Sequence, residues 1–204
     1  MTKTLLVGLT GNFGAGKSYV LELFKKSGAI TINSDELVRD LLKREDIKNE
    51  VRELLGERVM SGGELNRKAI ADIVFNDPYL RLKLEDIIHP EVFRQIQRII
   101  SELEKDKGFQ GAPVVVEVPV LFERGYQNRF ERIITVYADE NTIIRRLKAK
   151  GLSADEIRRR WDAQFPYEKK LRASDFIIDN SEGKDTESQV IHIYNQLLKE
   201  LMTH

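Results

Sequence analysis

Five short apolar runs recur along the chain, at 4–9 (TLLVGL), 29–32 (AITI), 113–118 (PVVVEV), 132–137 (RIITVY) and 175–179 (DFIID), with helical patterns between them. Alternation of that kind predicts an α/β fold with a mainly parallel sheet, since each crossover between parallel strands carries a helix. The interval from 35 to 110 is long, and its apolar residues keep helical spacing: Leu37, Leu41 and Leu42; Ile47, Val51, Leu54 and Leu55; Leu80, Leu84, Ile87 and Ile88; Val92, Ile96, Ile99, Ile100 and Leu103. This predicts a helical insertion between two sheet strands, with turns at Gly62-Gly63 and Asn76-Asp77-Pro78. His89-Pro90 is expected to open a helix, because proline is favoured in a first turn.

Ser153 and Glu156 fit a capping box, in which hydroxyl and carboxylate each satisfy a free backbone N–H at a helix start. Residues 140–150 and 154–164 therefore read as two helices broken at Gly151, with Arg146 and Lys150, and Arg160 and Gln164, each pair four apart on one face. Trp161, at helical spacing from Ile157, reads as packing. A last helix over about 184–202, with Val190, Ile191, Tyr194, Leu197, Leu198 and Leu201 on one side, closes the fold.

Composition narrows the picture. The 204 residues suit one domain, or one domain with a sizeable insertion, and 41% hydrophobic content can bury a single core. Charged residues make up 32%, but 33 basic side chains balance 33 acidic ones, so no global field draws the chain to nucleic acid or an anionic membrane. Any anion site must be local. The absence of cysteine excludes disulfides and thiolate metal sites and fits a reducing cytoplasm, and three scattered histidines make no zinc site. Apolar runs are too short to cross a bilayer. The run after Lys3 is also too short for a signal peptide, and it reads as the first strand of a cytoplasmic protein.

The first run leads into Gly11-Asn12-Phe13-Gly14-Ala15-Gly16-Lys17-Ser18, which matches the phosphate-binding P-loop pattern. Average residue usage puts the bare pattern in roughly one unrelated chain of this length in a hundred. Its context, a strand before it and a helical run after it (Val20, Leu21, Leu23, Phe24), makes it far more specific. Glycines let backbone N–H groups converge on phosphate oxygens, and the helix start adds about half a positive charge. Lys17 is expected to reach the β- and γ-phosphates of ATP and the Ser18 hydroxyl to hold Mg²⁺.

No Asn-Lys-x-Asp guanine signature and no Leu-Ser-Gly-Gly-Gln transporter signature is present, whereas a small-molecule kinase needs less. It requires an acceptor pocket, a carboxylate near the acceptor hydroxyl and cations over the transferring group. Asp35, just past the second strand, fits a helix cap and also a proton acceptor. Glu117 sits where either a Mg²⁺-binding carboxylate or plain strand termination fits. Between 142 and 172, ten basic residues face four acids, a local cationic excess suited to a lid over polyphosphate.

Across nearly its whole length the sequence resembles the dephospho-coenzyme A kinase family. The shared segments, in order, are GLTGNFGAGKS (8–18), INSDELVRDLL (32–42), SGGELNRKAIADIVF (61–75), IIHPEV (87–92), VEVPVLFE (116–123), IIRRLKAKGLS (143–153) and RWDAQFPYEKKLRASDFIIDN (160–180). The resemblance implies a P-loop NTPase fold of the nucleoside-monophosphate-kinase type, three layers around a parallel five-stranded sheet. It implies a core over 1–34, 111–139 and 174–204, a coenzyme-binding helical insertion over 35–110 and a lid over 140–173. The implied reaction is phosphorylation of the ribose 3′-hydroxyl of dephospho-coenzyme A by ATP with Mg²⁺. Asp35 would be the base, Lys17 and Arg146 would act on the transferring group, Gly11 to Ser18 would hold ATP, and Asp35, Arg39, His89 and Glu123 would contact the acceptor.

Three positions depart from the family. Asn33 stands where the first aspartate of an Asp-x-Asp segment is usual, Lys150 replaces a typical arginine, and Asn12-Phe13 replaces a more usual glycine-isoleucine pair. The loop by itself leaves open another nucleotide or small-molecule kinase, or a nucleotide-sensing module.

Overall fold

A computed structural model describes residues 4–106, 108, 109, 111–162 and 164–203, the side chain of Asp162 excepted. Lys3, the basic residue ahead of the first run, lies outside them, as does the side chain of Asp162, one of the four acids of 142–172. The chain divides into two compact units, one formed by Met1–Asn33 with Glu104–His204 and the other by Ser34–Leu103.

The first unit opens with strand β1 (Leu5–Gly11), helix α1 (Lys17–Lys26) and strand β2 (Ile30–Asn33). All seven residues of β1 are buried, as expected of a parallel strand covered on both faces.

The second unit holds α2 (Ser34–Leu41), α3 (Glu45–Leu55), a two-strand hairpin β3 (Met60–Ser61) and β4 (Glu64–Leu65), α4 (Arg67–Asn76) and most of α5 (Pro78–Lys105). The hairpin turns at Gly62-Gly63 and was not expected from an apolar pattern too short to show alternation. Lys48 of α3 is buried and pairs with Glu45 at 3.0 Å and Glu64 at 2.6 Å. Asn66 caps α4 through its side chain, and Asp77 Oδ1 accepts from the N–H groups of Tyr79 and Leu80 at the start of α5. One expectation fails here. His89-Pro90 does not open a helix but lies within α5. A mid-helix proline costs about 3 kcal/mol, and the buried stripe of Leu84, Ile88, Val92, Ile96 and Ile100 along α5 outweighs it.

The chain returns to the first unit through β5 (Pro113–Glu117), β6 (Arg132–Tyr137), α6 (Glu140–Ala149), α7 (Ala154–Asp162), α8 (Tyr167–Arg172), β7 (Phe176–Asp179) and α9 (Thr186–Thr203). The expected five-stranded parallel sheet is present, in the order β2-β5-β1-β6-β7. Val7 and Leu9 of β1, Val115, Ile134, Val136 and Ile178 pack with Val20 and Phe24 of α1 and Val190 and Leu197 of α9 into one core. Because every strand of this sheet runs the same way, the register sets Asn33 opposite Glu117, Gly11 opposite Val136 and Tyr137 opposite Asp179 along one carboxyl edge. Open α/β sheets bind ligands at that edge.

Candidate active site

The 11–18 loop leaves β1 at the carboxyl edge and enters α1 at Lys17. Gly16, the last residue before the helix, has φ 92° and ψ 32°, and a Cβ there would stand 2.3 Å from Nδ2 of Asn180. Conformation and space both require glycine. At Gly11 (φ 147°) a Cβ would meet the carbonyl oxygen of Val136 at 2.4 Å, so glycine lets β1 stay against β6 to its last residue. No side chain caps α1 among the described residues, which leaves its first N–H groups directed at an anion position.

Lys17 Nζ donates to the carbonyl oxygens of Gly11 at 3.1 Å and Asn12 at 3.4 Å, folding the ammonium along the loop. Ala15 N–H closes the turn onto Asn12 O at 3.1 Å. Ser18 Oγ donates to Glu117 Oε1 at 3.3 Å, and Asn33 Nδ2 donates to Glu117 Oε2 at 3.5 Å. Glu117 is only 4% exposed, so these partners offset the cost of burying its carboxylate. An aspartate in place of Asn33 would set a second carboxylate there; the amide donates instead. Glu117 ends β5 and lies beside the Ser18 hydroxyl, a position compatible with either of the two readings open for it, strand end and metal carboxylate. Two hard oxygen donors side by side suit Mg²⁺, which takes one or two protein oxygens and completes its shell with phosphate and water.

Asn180, just past β7, was missed by sequence reasoning. Its Nδ2 donates to Ala15 O at 2.7 Å, its Oδ1 accepts from Thr186 Oγ1 at 3.0 Å, and its backbone carbonyl accepts from Arg146 Nη2 at 2.9 Å. One buried residue, through its side-chain amide and its backbone carbonyl, thus ties the loop to α9 and α6 at the end of β7. Its only sequence signal was a polar residue directly after an apolar strand. Arg146 Nη1 is buried, has no hydrogen-bond partner among the described residues, and lies 3.6 Å from where a Gly16 Cβ would stand. A guanidinium donor is therefore held beside the end of the loop.

The basic stretch 142–172 is less uniform than its charge count suggests. Arg145 pairs with Glu182, and Lys170 is fully buried with its Nζ 2.7 Å from Glu123 Oε1. Glu123 Oε1 also accepts from Phe165 N–H at 3.1 Å, and Oε2 is buried without a hydrogen bond among the described residues. Glu123, expected among the acceptor contacts, is thus engaged in supporting residues 165–170. The capping box forms: Glu156 Oε2 accepts from Ser153 N–H and Oγ, and Glu156 N–H donates to Ser153 Oγ. The Ser153 N–H and hydroxyl, then Arg160 and Arg159, hold the Glu156 carboxyl below the usual range. Trp161 packs, as expected, on the cluster of Ile143, Leu147 and Ile157. Gln164, expected on the face of Arg160, lies instead beyond the end of α7.

In the other unit, Asp35 and Arg39 are exposed on α2, Asp35 in its first turn, where a carboxylate suits the positive helix end. His89 is half-buried within α5. A cavity of about 310 Å³ in the same unit is lined by Ile47 and Leu54 of α3 and Lys83, Asp86, Pro90 and Arg94 of α5. No helix among the described residues is long and apolar enough to cross a membrane.

Comparison with known proteins agrees with this arrangement. Residues 5–186 match the family model described as dephospho-CoA kinase. A dephospho-CoA kinase of Aquifex aeolicus is 33% identical over 197 residues, covering 95% of this chain and 98% of that protein. One from Thermus thermophilus is 36% identical over 179 residues, covering 87% and 83%. A crystal structure of a Thermus thermophilus protein superposes with a TM-score of 0.81 at 32% identity over 98% of this chain and 99% of that one. A shikimate kinase from Bacteroides thetaiotaomicron, 15% identical, shares the fold at a TM-score of 0.51, covering 96% of this chain and 98% of that one.

Proposed function

We propose, because the chain belongs to the dephospho-CoA kinase family, that it transfers the γ-phosphoryl group of ATP to the ribose 3′-hydroxyl of dephospho-coenzyme A. The observation that carries this reading is the loop: an α1 start open to an anion, with Lys17 folded along it and Arg146 beside Gly16. Residues 35–110 would hold the acceptor, with Arg39 and His89 as contacts, and residues 140–173 would form the lid.

In the reaction, the α1 N–H groups and the loop backbone bind the polyphosphate. Lys17 and Arg146 neutralise charge spreading onto the equatorial oxygens of the transferring group. Asp35 accepts the 3′-hydroxyl proton as the new O–P bond forms and the bond to the β-phosphate oxygen breaks, releasing ADP. Ser18 and Glu117 would hold Mg²⁺, directly or through water, and the ion, when bound, supplies further neutralisation of the phosphates. The lack of cysteine supports a reducing, cytoplasmic setting.

The test is ADP release with Mg-ATP and dephospho-coenzyme A, AMP, UMP or no acceptor, with the product mass determined. Fast release with dephospho-coenzyme A alone, adding one phosphate at the 3′ position, is expected; silence with it overturns the reading. Asp35→Ala is expected to lower kcat at least about a hundredfold, as for loss of a positioned base. Near-normal turnover would return Asp35 to a helix-start role.

A further inference from the structure

Three contacts from one segment meet on a single residue of the phosphate loop. Phe13 N–H donates to Gln164 Oε1 at 2.8 Å. The Arg160 guanidinium lies over the Phe13 ring, 4.7 Å from its centroid. The rest of the ring packs on the cluster of Ile143, Leu147 and Ile157, which Trp161 also joins. The aromatic face that Phe13 offers is what a guanidinium can stack on.

We propose that Phe13 is a positioning residue: it latches the arginine-bearing helix α7 to the phosphate loop, with Gln164 fixing the loop backbone and Arg160 fixing the ring. The backbone N–H of Phe13 is committed to Gln164, so this residue serves the site by holding the lid rather than by binding phosphate. The latch orders the cations of α6 and α7 relative to the loop before nucleotide arrives. Loss of pre-organised cations is felt in the transition state more than in ground-state binding. The catalytic half of this inference rests on the kinase reading above; the latch itself does not.

The chain has one tryptophan, Trp161, and it sits in the latched cluster, so its emission reports the latch without nucleotide or acceptor. Gln164 needs only an accepting oxygen. Gln164→Glu keeps one and is expected to keep the wild-type Trp161 emission, whereas Gln164→Met, of similar size and without the oxygen, is expected to shift it to the red. Phe13→Leu, which keeps apolar volume but offers no ring face to Arg160, is expected to shift it likewise. In turnover, Gln164→Met and Phe13→Leu are each expected to lower kcat about tenfold, the scale of a slightly misplaced group, with the KM for dephospho-coenzyme A and the thermal midpoint held. The double variant should lose little more than either single one, because both break one device.

Wild-type emission and kcat in Gln164→Met overturn the latch. So does an equal effect of Gln164→Glu and Gln164→Met, or a fall in kcat that tracks a fall in thermal midpoint. Silence of the unmodified protein with dephospho-coenzyme A instead overturns the kinase reading, and the nucleotide-free emission series then still decides the latch.

Discussion

The loop at 11–18 and the basic segment at 140–172 present positive potential within the same unit, yet they are built differently. The loop does it with backbone: glycines in left-handed conformation, an uncapped helix start, and a strand buried along its whole length behind it. Helix α1 anchors it with Val20, Leu21, Leu23 and Phe24 buried in the core. The segment does it with side chains on short helices, where α6 buries Ile143 and Leu147, α7 buries Ile157, and a few polar contacts hold the residues beyond α7. Fixed dipoles cost no reorganisation when charge develops, while long cationic side chains must be ordered first. The difference teaches that the loop works as folded, whereas the segment works only as well as its supports.

The comparison can be broken first at the loop. Lys17→Ala is expected to cut kcat at least about a hundredfold, the scale of a lost transition-state electrostatic contact. Trp161 emission should stay unchanged, since the Lys17 ammonium donates to Gly11 and Asn12 within the loop itself. A shift in emission would show that loop and segment are one mechanical body.

The second break falls on a support of the segment. Lys170 is 0% exposed beside Glu123, and removing one partner of a buried pair leaves an uncompensated charge, typically at a cost of 3–5 kcal/mol, or about 4. Lys170→Met should lower the urea midpoint accordingly. The double variant Lys170→Met with Glu123→Gln should recover part of the loss. A midpoint equal to wild type in the single variant would show that the pair contributes nothing.

The smallest effect concerns acidity. The folded-state pKa of Glu156 is depressed by the Ser153 N–H and hydroxyl, so its contribution is complete above the ordinary glutamate value and is lost as pH falls through the lower, folded one. Wild type and Glu156→Gln should therefore differ in stability at neutral pH by a small amount, and the two curves should converge only below the ordinary carboxylate range. Parallel curves down to strongly acid pH would remove the capping box from the account.

Much of the fold was open to a reader of the chain. The strands are near-continuous apolar runs, and the capping box at Ser153 is local, so each followed from adjacent residues. The P-loop followed as well, because its chemistry lies in consecutive backbone groups. Three features escaped for one reason. Asn180 reaches Ala15 across 165 positions, Gln164 reaches Phe13 across 151, and Lys170 lies against Glu123 from another element. Such polar pairs obey no period, and a lysine looks like surface until the carboxylate that makes its burial tolerable is placed beside it. Pro90 shows the converse, a strong local signal overruled by the apolar stripe of α5. What the sequence by itself determined is therefore the sheet and the loop, because helix and strand periodicity and glycine conformation are local properties. Which cations remain for phosphate, and which are spent holding α7 and α8 in place, was decided only when folding brought distant polar groups within hydrogen-bond reach.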